Sequence, residues 1–175
     1  GKNVINNFCD FVPAADILLE KKLKKKKILF VGGRKYMDSL QLTIRALSLI
    51  SKDVELDVVG LTEEEVGTKN PHVRCYGYLH KDDTNQCQIY YKLLCEASVF
   101  VNVTPKWGGY SSTIEAMFFY TPVLLAPYKD FVKEFGEDID WGIYNKVFSA
   151  EEVARNIEKI LNCDGYESMC ICAHE

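Results

Sequence analysis

The chain has no apolar run approaching the ~20 residues that a membrane-spanning helix needs. Its start, GKNVINNFCDF, lacks the charged region and apolar stretch of a secretion signal. A soluble protein is expected, cytoplasmic or peripheral at the inner face of a membrane. Strong charge of either sign is also missing: the net charge is −4 over 175 residues, which argues against a general nucleic-acid binder. There is no internal repeat and no low-complexity tract apart from the lysine block Glu20 to Lys27 (EKKLKKKK). That block reads as a solvated lead-in ending before the first strand, with contact to anionic lipid or phosphate as the alternative.

The seven cysteines, Cys9, Cys75, Cys87, Cys95, Cys163, Cys170 and Cys172, are odd in number and scattered, unlike a secreted disulfide framework. Reduced thiols are expected, several of them acting as small hydrophobes. The tail C-x-C-x-H, ending at His174, lacks the second half of a zinc-finger spacing, and no metal site is expected.

What is present is 47% hydrophobic residues, enough at this length for one domain (1–175) with a full core. Apolar strands and amphipathic helices alternate. Lys27 to Val31 (KILFV) is a strand closed by Gly32-Gly33, and Leu40, Ile44, Leu47 and Ile50 follow at helical spacing. Further strands are predicted over Val54 to Leu61, His72 to Tyr78, Ser98 to Val103, Pro122 to Ala126 and Trp141 to Val147. An acidic, irregular patch with Glu63, Glu64 and Glu65 separates two of them. Helices are predicted over Asp82 to Ala97, Ser111 to Phe119, Asp130 to Phe135 and from Ser149, where Glu152 stands at capping-box spacing. This pattern requires an α/β fold: a doubly wound, mostly parallel sheet with helices on both faces. Ligands of such sheets bind outside the carboxyl ends of the strands, where the strand order reverses.

Gly108 to Pro122 (GGYSSTIEAMFFYTP) holds the densest chemistry. A glycine pair, three hydroxyl residues and one carboxylate fall in a single strand-to-helix junction. Unpaired N–H groups and the positive end of the helix dipole favour an anion there, and Gly108 and Gly109 let it approach the backbone. A merely capped helix is the plainer alternative.

Seven segments in order, VINNFCDF, KKILFVGGR, VELDVVG, HVRCYGYL, YYKLLCEASVFVNVTP, GGYSSTIEAMFFYTPVL and AEEVARNIEKIL, resemble the carboxyl-terminal, donor-binding half of group 1 (family 4) GT-B glycosyltransferases. The resemblance implies a Rossmann-like domain that binds a nucleotide diphosphate-sugar, UDP- or GDP-linked. With an amino-terminal acceptor domain that this chain lacks, it would transfer the sugar with retention of configuration, and the isolated domain would be inactive. Glu115 is similar to the family's ribose-binding glutamate. The backbone of Ser111, Ser112 and Thr113 would hold the diphosphate, Gly32 and Gly33 would make room for it, and Arg34, with Lys35 beside it, would neutralise it. Tyr78 and Leu79 fall where the family contacts the base. No cofactor, metal or nucleic acid is implied.

Three departures stand out. Trp107 occupies the position of a sugar-contacting glutamate, Asp38-Ser39 that of a lysine-glycine pair, and Tyr120 that of a glycine. An aspartate would repel a diphosphate, and Tyr120 implies altered packing behind the site. Two other functions compete: a degenerate, non-catalytic nucleotide- or protein-binding domain, and a nucleotide-sugar epimerase, for which only His80 is near a rim loop.

Overall fold

The computed structural model describes residues 15–50, 53–105 and 110–175. Six strands form one sheet: β1 (Lys27–Val31), β2 (Glu55–Val59), β3 (Val73–Cys75), β4 (Val99–Asn102), β5 (Val123–Leu125) and β6 (Gly142–Tyr144). They run in the order β3-β2-β1-β4-β5-β6, and every neighbouring pair is parallel. Parallel neighbours need long crossovers, which helices supply. The helices are α1 (Ala15–Lys24), α2 (Met37–Leu47), α3 (Glu63–Val66), α4 (Thr84–Glu96), α5 (Tyr110–Phe118), α6 (Lys129–Phe135), α7 (Ala150–Leu161) and α8 (Tyr166–His174). No helix among the described residues is long and apolar enough to cross a membrane.

Alternation along the strands divides the core in two. Ile28, Phe30, Val58 and Val101 pack with Leu40 and Ala46 of α2 and Val153 and Ile157 of α7. Leu29, Phe100, Val123 and Leu125 pack on the other face with Tyr91 and Leu94 of α4 and Ala116 of α5. Each fully buried large side chain contributes about 1.5–3 kcal/mol. Asp57 interrupts β2 yet is only 2% exposed. It accepts a hydrogen bond from the Tyr76 hydroxyl at 3.1 Å and lies 3.6 Å from the Lys27 ammonium, which also reaches Glu96 at 2.9 Å. Burial raises the Asp57 pKa, against the pull of Lys27.

The lysine block corrects its sequence reading. It is helical through Lys24, and Lys22 is 1% exposed. The Lys22 ammonium donates to the Leu94 carbonyl at 3.0 Å, the Ala97 carbonyl at 2.8 Å and Thr121 Oγ1 at 2.7 Å, so all three of its protons are used. It thereby caps the carboxyl end of α4. Lys25 and Lys27 both pair with Glu96, and Lys21 and Lys26 are exposed.

Two further corrections concern caps. The acidic patch is the short helix α3, closed by a complete capping box in which Thr62 and Glu65 each bond the other's backbone. At Ser149 only half of the expected box forms: its hydroxyl accepts from Glu152 N at 3.2 Å, but the Glu152 carboxylate turns to Asn156 and Arg155. The third predicted strand also ends early, at Cys75, because the chain bends through Gly77 at φ +64°.

Candidate functional site

From β1 the sheet grows through β2 on one side and through β4 on the other, so the β1–β4 junction is the point where the order reverses. A cavity of about 700 Å³ opens there, at the carboxyl ends of the strands. Its size suits a small organic ligand. Gly32, Gly33 and Lys35 line it from the turn after β1, Tyr78 and Leu79 from the loop after β3, and Ser111, Ser112 and Glu115 from α5. Eight of the residues singled out from the sequence thus meet on one wall system.

Glycine is required where backbones close the floor. Gly60 sits at φ +105°, and a Cβ there would stand 2.6 Å from the Gly32 carbonyl oxygen. A Cβ on Gly33 would meet nothing within 4 Å, so this residue leaves open space toward the cavity. Gly32 has a different reason: the Tyr36 ring covers it, 2.5 Å from where a Cβ would be.

The cations divide. Lys35 is on the cavity wall, with its ammonium 4.9 Å from the centre of the Tyr36 ring. Arg34 is 79% exposed and turned outward, donating from Nε and Nη2 to Glu65 Oε1 at 3.0 and 2.8 Å. The Thr62 backbone N–H and then Arg34 hold the Glu65 carboxyl below its ordinary range. Asp38 is exposed in the first turn of α2, off the cavity wall, so the repulsion expected from it is not directed at the cavity. Ser39 is buried, and its Oγ accepts from Val103 N at 2.9 Å, tying α2 to the end of β4.

Glu115 stands one turn into α5. Its Oε1 contacts the Lys81 ammonium, and its Oε2 accepts from the Tyr90 hydroxyl at 2.5 Å. Burial, followed by the Glu115 charge, drives the Tyr90 phenol pKa upward, so Tyr90 remains a donor. Sequence reasoning missed Lys81 and Tyr90, which are 34 and 25 positions from Glu115. The helical stripe of α4 held the only signal, since Tyr90 is one turn before Leu93 and Leu94 and is buried with them. Thr113 is buried and off the wall. Gly108, Gly109 and Trp107 lie outside the described residues. Tyr78 is 73% exposed, and His80 meets it edge-on at 4.8 Å.

Behind the site, Tyr120 adopts φ +58°, the left-handed conformation that glycine takes readily. Its ring stacks on His174 of α8 at 4.0 Å and 8°, and His174 Nδ1 lies 2.7 Å from the Phe118 carbonyl. The altered packing expected at Tyr120 is this stack. Cys170 of the same helix is fully buried, and burial pushes its thiol up to about 11. Among the described residues no three His, Cys, Asp or Glu side chains are grouped to hold a metal.

Solved structures with this fold include glycosyltransferases and a putative UDP-N-acetylglucosamine 2-epimerase from Listeria monocytogenes, the latter with TM-score 0.58 and 12% identity over 85% of this chain and 40% of that one. WaaG, a glycosyltransferase involved in lipopolysaccharide biosynthesis, superposes with TM-score 0.66 and 17% identity over 93% of this chain and 46% of that one. Anabaena HepE in complex with UDP and glucose gives 0.63 and 15% over 86% and 42%. A variant of S. aureus TarM in complex with Fondaparinux, alpha-GlcNAc-glycerol and UDP gives 0.65 and 19% over 86% and 31%. At such identities the likeness shows the fold, and this chain spans less than half of each. No curated protein sequence matches significantly. The sequence profile of glycosyl transferases group 1, however, matches residues 25–163, a span running from the lysines before β1 to the end of α7 and so taking in every strand and every wall of the cavity. The chain therefore belongs to the group 1 glycosyl transferases.

Proposed function

We propose that this chain is a donor half that binds a nucleoside diphosphate-sugar, UDP- or GDP-linked. Joined to an acceptor-binding half, it transfers the sugar to a glycan or lipid-linked acceptor with retention of configuration and without a bound metal. The supporting observation is the convergence of Glu115, the first turn of α5, the open face of Gly33 and the Lys35 side chain on one cavity at the switch point. A carboxylate accepts both hydroxyls of a ribose. The helix start and the cations suit the diphosphate.

As the bond to the sugar breaks, negative charge accumulates on the leaving diphosphate. Fixed positive charge there stabilises the transition state more than the ground state, and this raises the rate. Lys35 and the α5 dipole serve that role in this reading, supported by their positions on the cavity wall, and Arg34 joins them by exchanging Glu65 for the phosphates. Contact of the whole protein with a membrane surface has thinner support, because burial and ion pairing consume Lys22, Lys25 and Lys27. The same cavity without transfer activity is the second reading, favoured by the engagement of Arg34 with Glu65, off the cavity wall.

Calorimetric titration of the chain with UDP, GDP and ADP tests the reading. One of them should bind at micromolar to millimolar strength, about −4 to −8 kcal/mol, since no second domain closes over it. Glu115→Gln should weaken that binding by about 1–3 kcal/mol, while urea stability falls by no more than about 1 kcal/mol, because the amide oxygen still accepts from Tyr90 and only the half-exposed Lys81 pair is lost. No heat with any of the three nucleotides refutes donor binding. Sugar transfer by the full-length protein in the presence of EDTA, with the product anomer read by NMR, separates the two readings.

A further inference from the structure

Both oxygens of Glu115 already have partners within the chain, and the two partners differ in kind. Tyr90 is 3% exposed on α4 and its hydroxyl is fixed by the core around it. Lys81 sits on the loop after β3 with a side chain 48% exposed, and it lines the cavity. Its ammonium also lies 4.8 Å from the centre of the Tyr90 ring, so Tyr90 supports both members of the pair. A ribose that takes Glu115 through two hydroxyls needs Oε1, which the ammonium occupies. Tyr90 can share Oε2, since a carboxylate oxygen has two acceptor sites. The same count leaves Oε1 a second site, but Lys81, on a 48% exposed four-carbon stem, is the partner with the freedom to leave and the one an entering diphosphate attracts.

We propose that Lys81 is an exchanging cation of the nucleotide site, an inference that rests on the donor-binding reading above. In the free protein it neutralises Glu115. When a nucleoside diphosphate enters, the ribose hydroxyls take over the carboxylate and the ammonium swings to the diphosphate. The reach is adequate. Ser111 precedes Glu115 by four residues on α5, roughly 6 Å along the helix axis, a distance a four-carbon side chain covers by changing rotamer. The move leaves the net charge of the site unchanged: the carboxylate keeps its hydrogen bond from Tyr90 and gains those of the ribose, while the ammonium offsets the entering anion. It provides a second cation for the phosphates from the loop after β3, although the start of α2 carries Asp38 instead.

The exchange predicts that the sign of the Lys81 effect depends on phosphate. Toward uridine the ammonium is only a competitor for Glu115; toward UDP it is also a ligand. Binding of uridine and of UDP to the 175-residue chain, parent and Lys81→Met, is measured by ligand-observed NMR and calorimetry. Lys81→Met should tighten uridine several-fold and weaken UDP about tenfold, the loss of one charge-assisted bond. Lys81→Arg should keep most of the UDP affinity. An unchanged ratio of the two affinities, whether both fall, both rise or neither moves, overturns the exchange while leaving donor binding intact. Failure of the parent chain to bind UDP, GDP or ADP removes the donor-binding reading and this one with it.

Discussion

Lys22 makes the stability of this fold depend on pH in a direction that can be worked out beforehand. Burial lowers its pKa from 10.5 to about 7, with the neighbouring Cys170 and Cys95 pulling in the opposite direction. A lysine depressed in the folded state is protonated more fully in the unfolded chain wherever the pH lies between the two pKa values. Stability therefore rises with pH across that window, from about 7 to 10.5, and is lowest below it. Each pH unit inside the window is worth about 1.4 kcal/mol. Allowing for half-protonation at pH 7, the gain from pH 7 to 8.5 is on the order of 1–2 kcal/mol. Cys170, raised by burial to about 11, works oppositely above pH 8.5, so the comparison stops there. Urea unfolding followed by circular dichroism at both pH values, on the parent chain and on Lys22→Met, isolates the lysine. The parent should gain this amount relative to the methionine variant. Three acceptors and the carbonyl end of α4 favour the charged ammonium. If they outweigh desolvation, the two proteins will show parallel pH dependence, and that result refutes the argument.

Arg34→Ala should weaken UDP binding about tenfold to a hundredfold by calorimetry, because an exposed pair with Glu65 is a minor obstacle to its turning inward, with a smaller loss for Lys35→Ala. Asp38→Lys should leave UDP affinity unchanged and cost about 0.5 kcal/mol of urea stability, as a cation replaces an anion at the start of α2; tighter binding would put position 38 beside the phosphates. Tyr120→Ala should destabilise by about 1–2 kcal/mol, since it keeps the left-handed backbone and loses the His174 stack. Tyr120→Gly should be within about 1 kcal/mol of neutral, because relief of the backbone offsets the lost stack; equal losses for the two would remove strain from the account.

The strands were legible because parallel, doubly covered strands are apolar runs, and KILFV and SVFVNV could be little else. The glycine turn after β1 and the helix carrying Ser111, Ser112 and Glu115 were legible for a related reason: their chemistry is local. The lysine block misled because its charges hide a helix whose one decisive contact, Lys22 with the end of α4, spans 72 residues or more. Helix α8 was missed since YESMCICAH has no clear apolar stripe, and its anchor, the Tyr166 hydroxyl on the Ser98 carbonyl, is again remote. Lys81 and Glu115, 34 positions apart, are likewise beyond the reach of local pattern. Periodicity reports which face of an element is buried, but not which side chains from two loops will meet.

The sheet is joined unevenly, and this bears on how the molecule opens. β1 pairs with β2 over five residue positions but with β4 over only two, Ile28 with Val99 and Leu29 with Phe100. The β1–β4 line is thus a seam between a half built from residues 27–75 and a half built from the later strands. Few strand hydrogen bonds cross it, and Lys22, Ser39 and Ser98 act as its rivets. Segments joined by such a line exchange their amide protons through partial opening rather than global unfolding. The cavity straddles the seam, with the glycine turn on one bank and α5 on the other. A ligand bound across it holds the two banks together and slows hydrogen exchange along β1 and β4 by a factor set by its concentration relative to its dissociation constant.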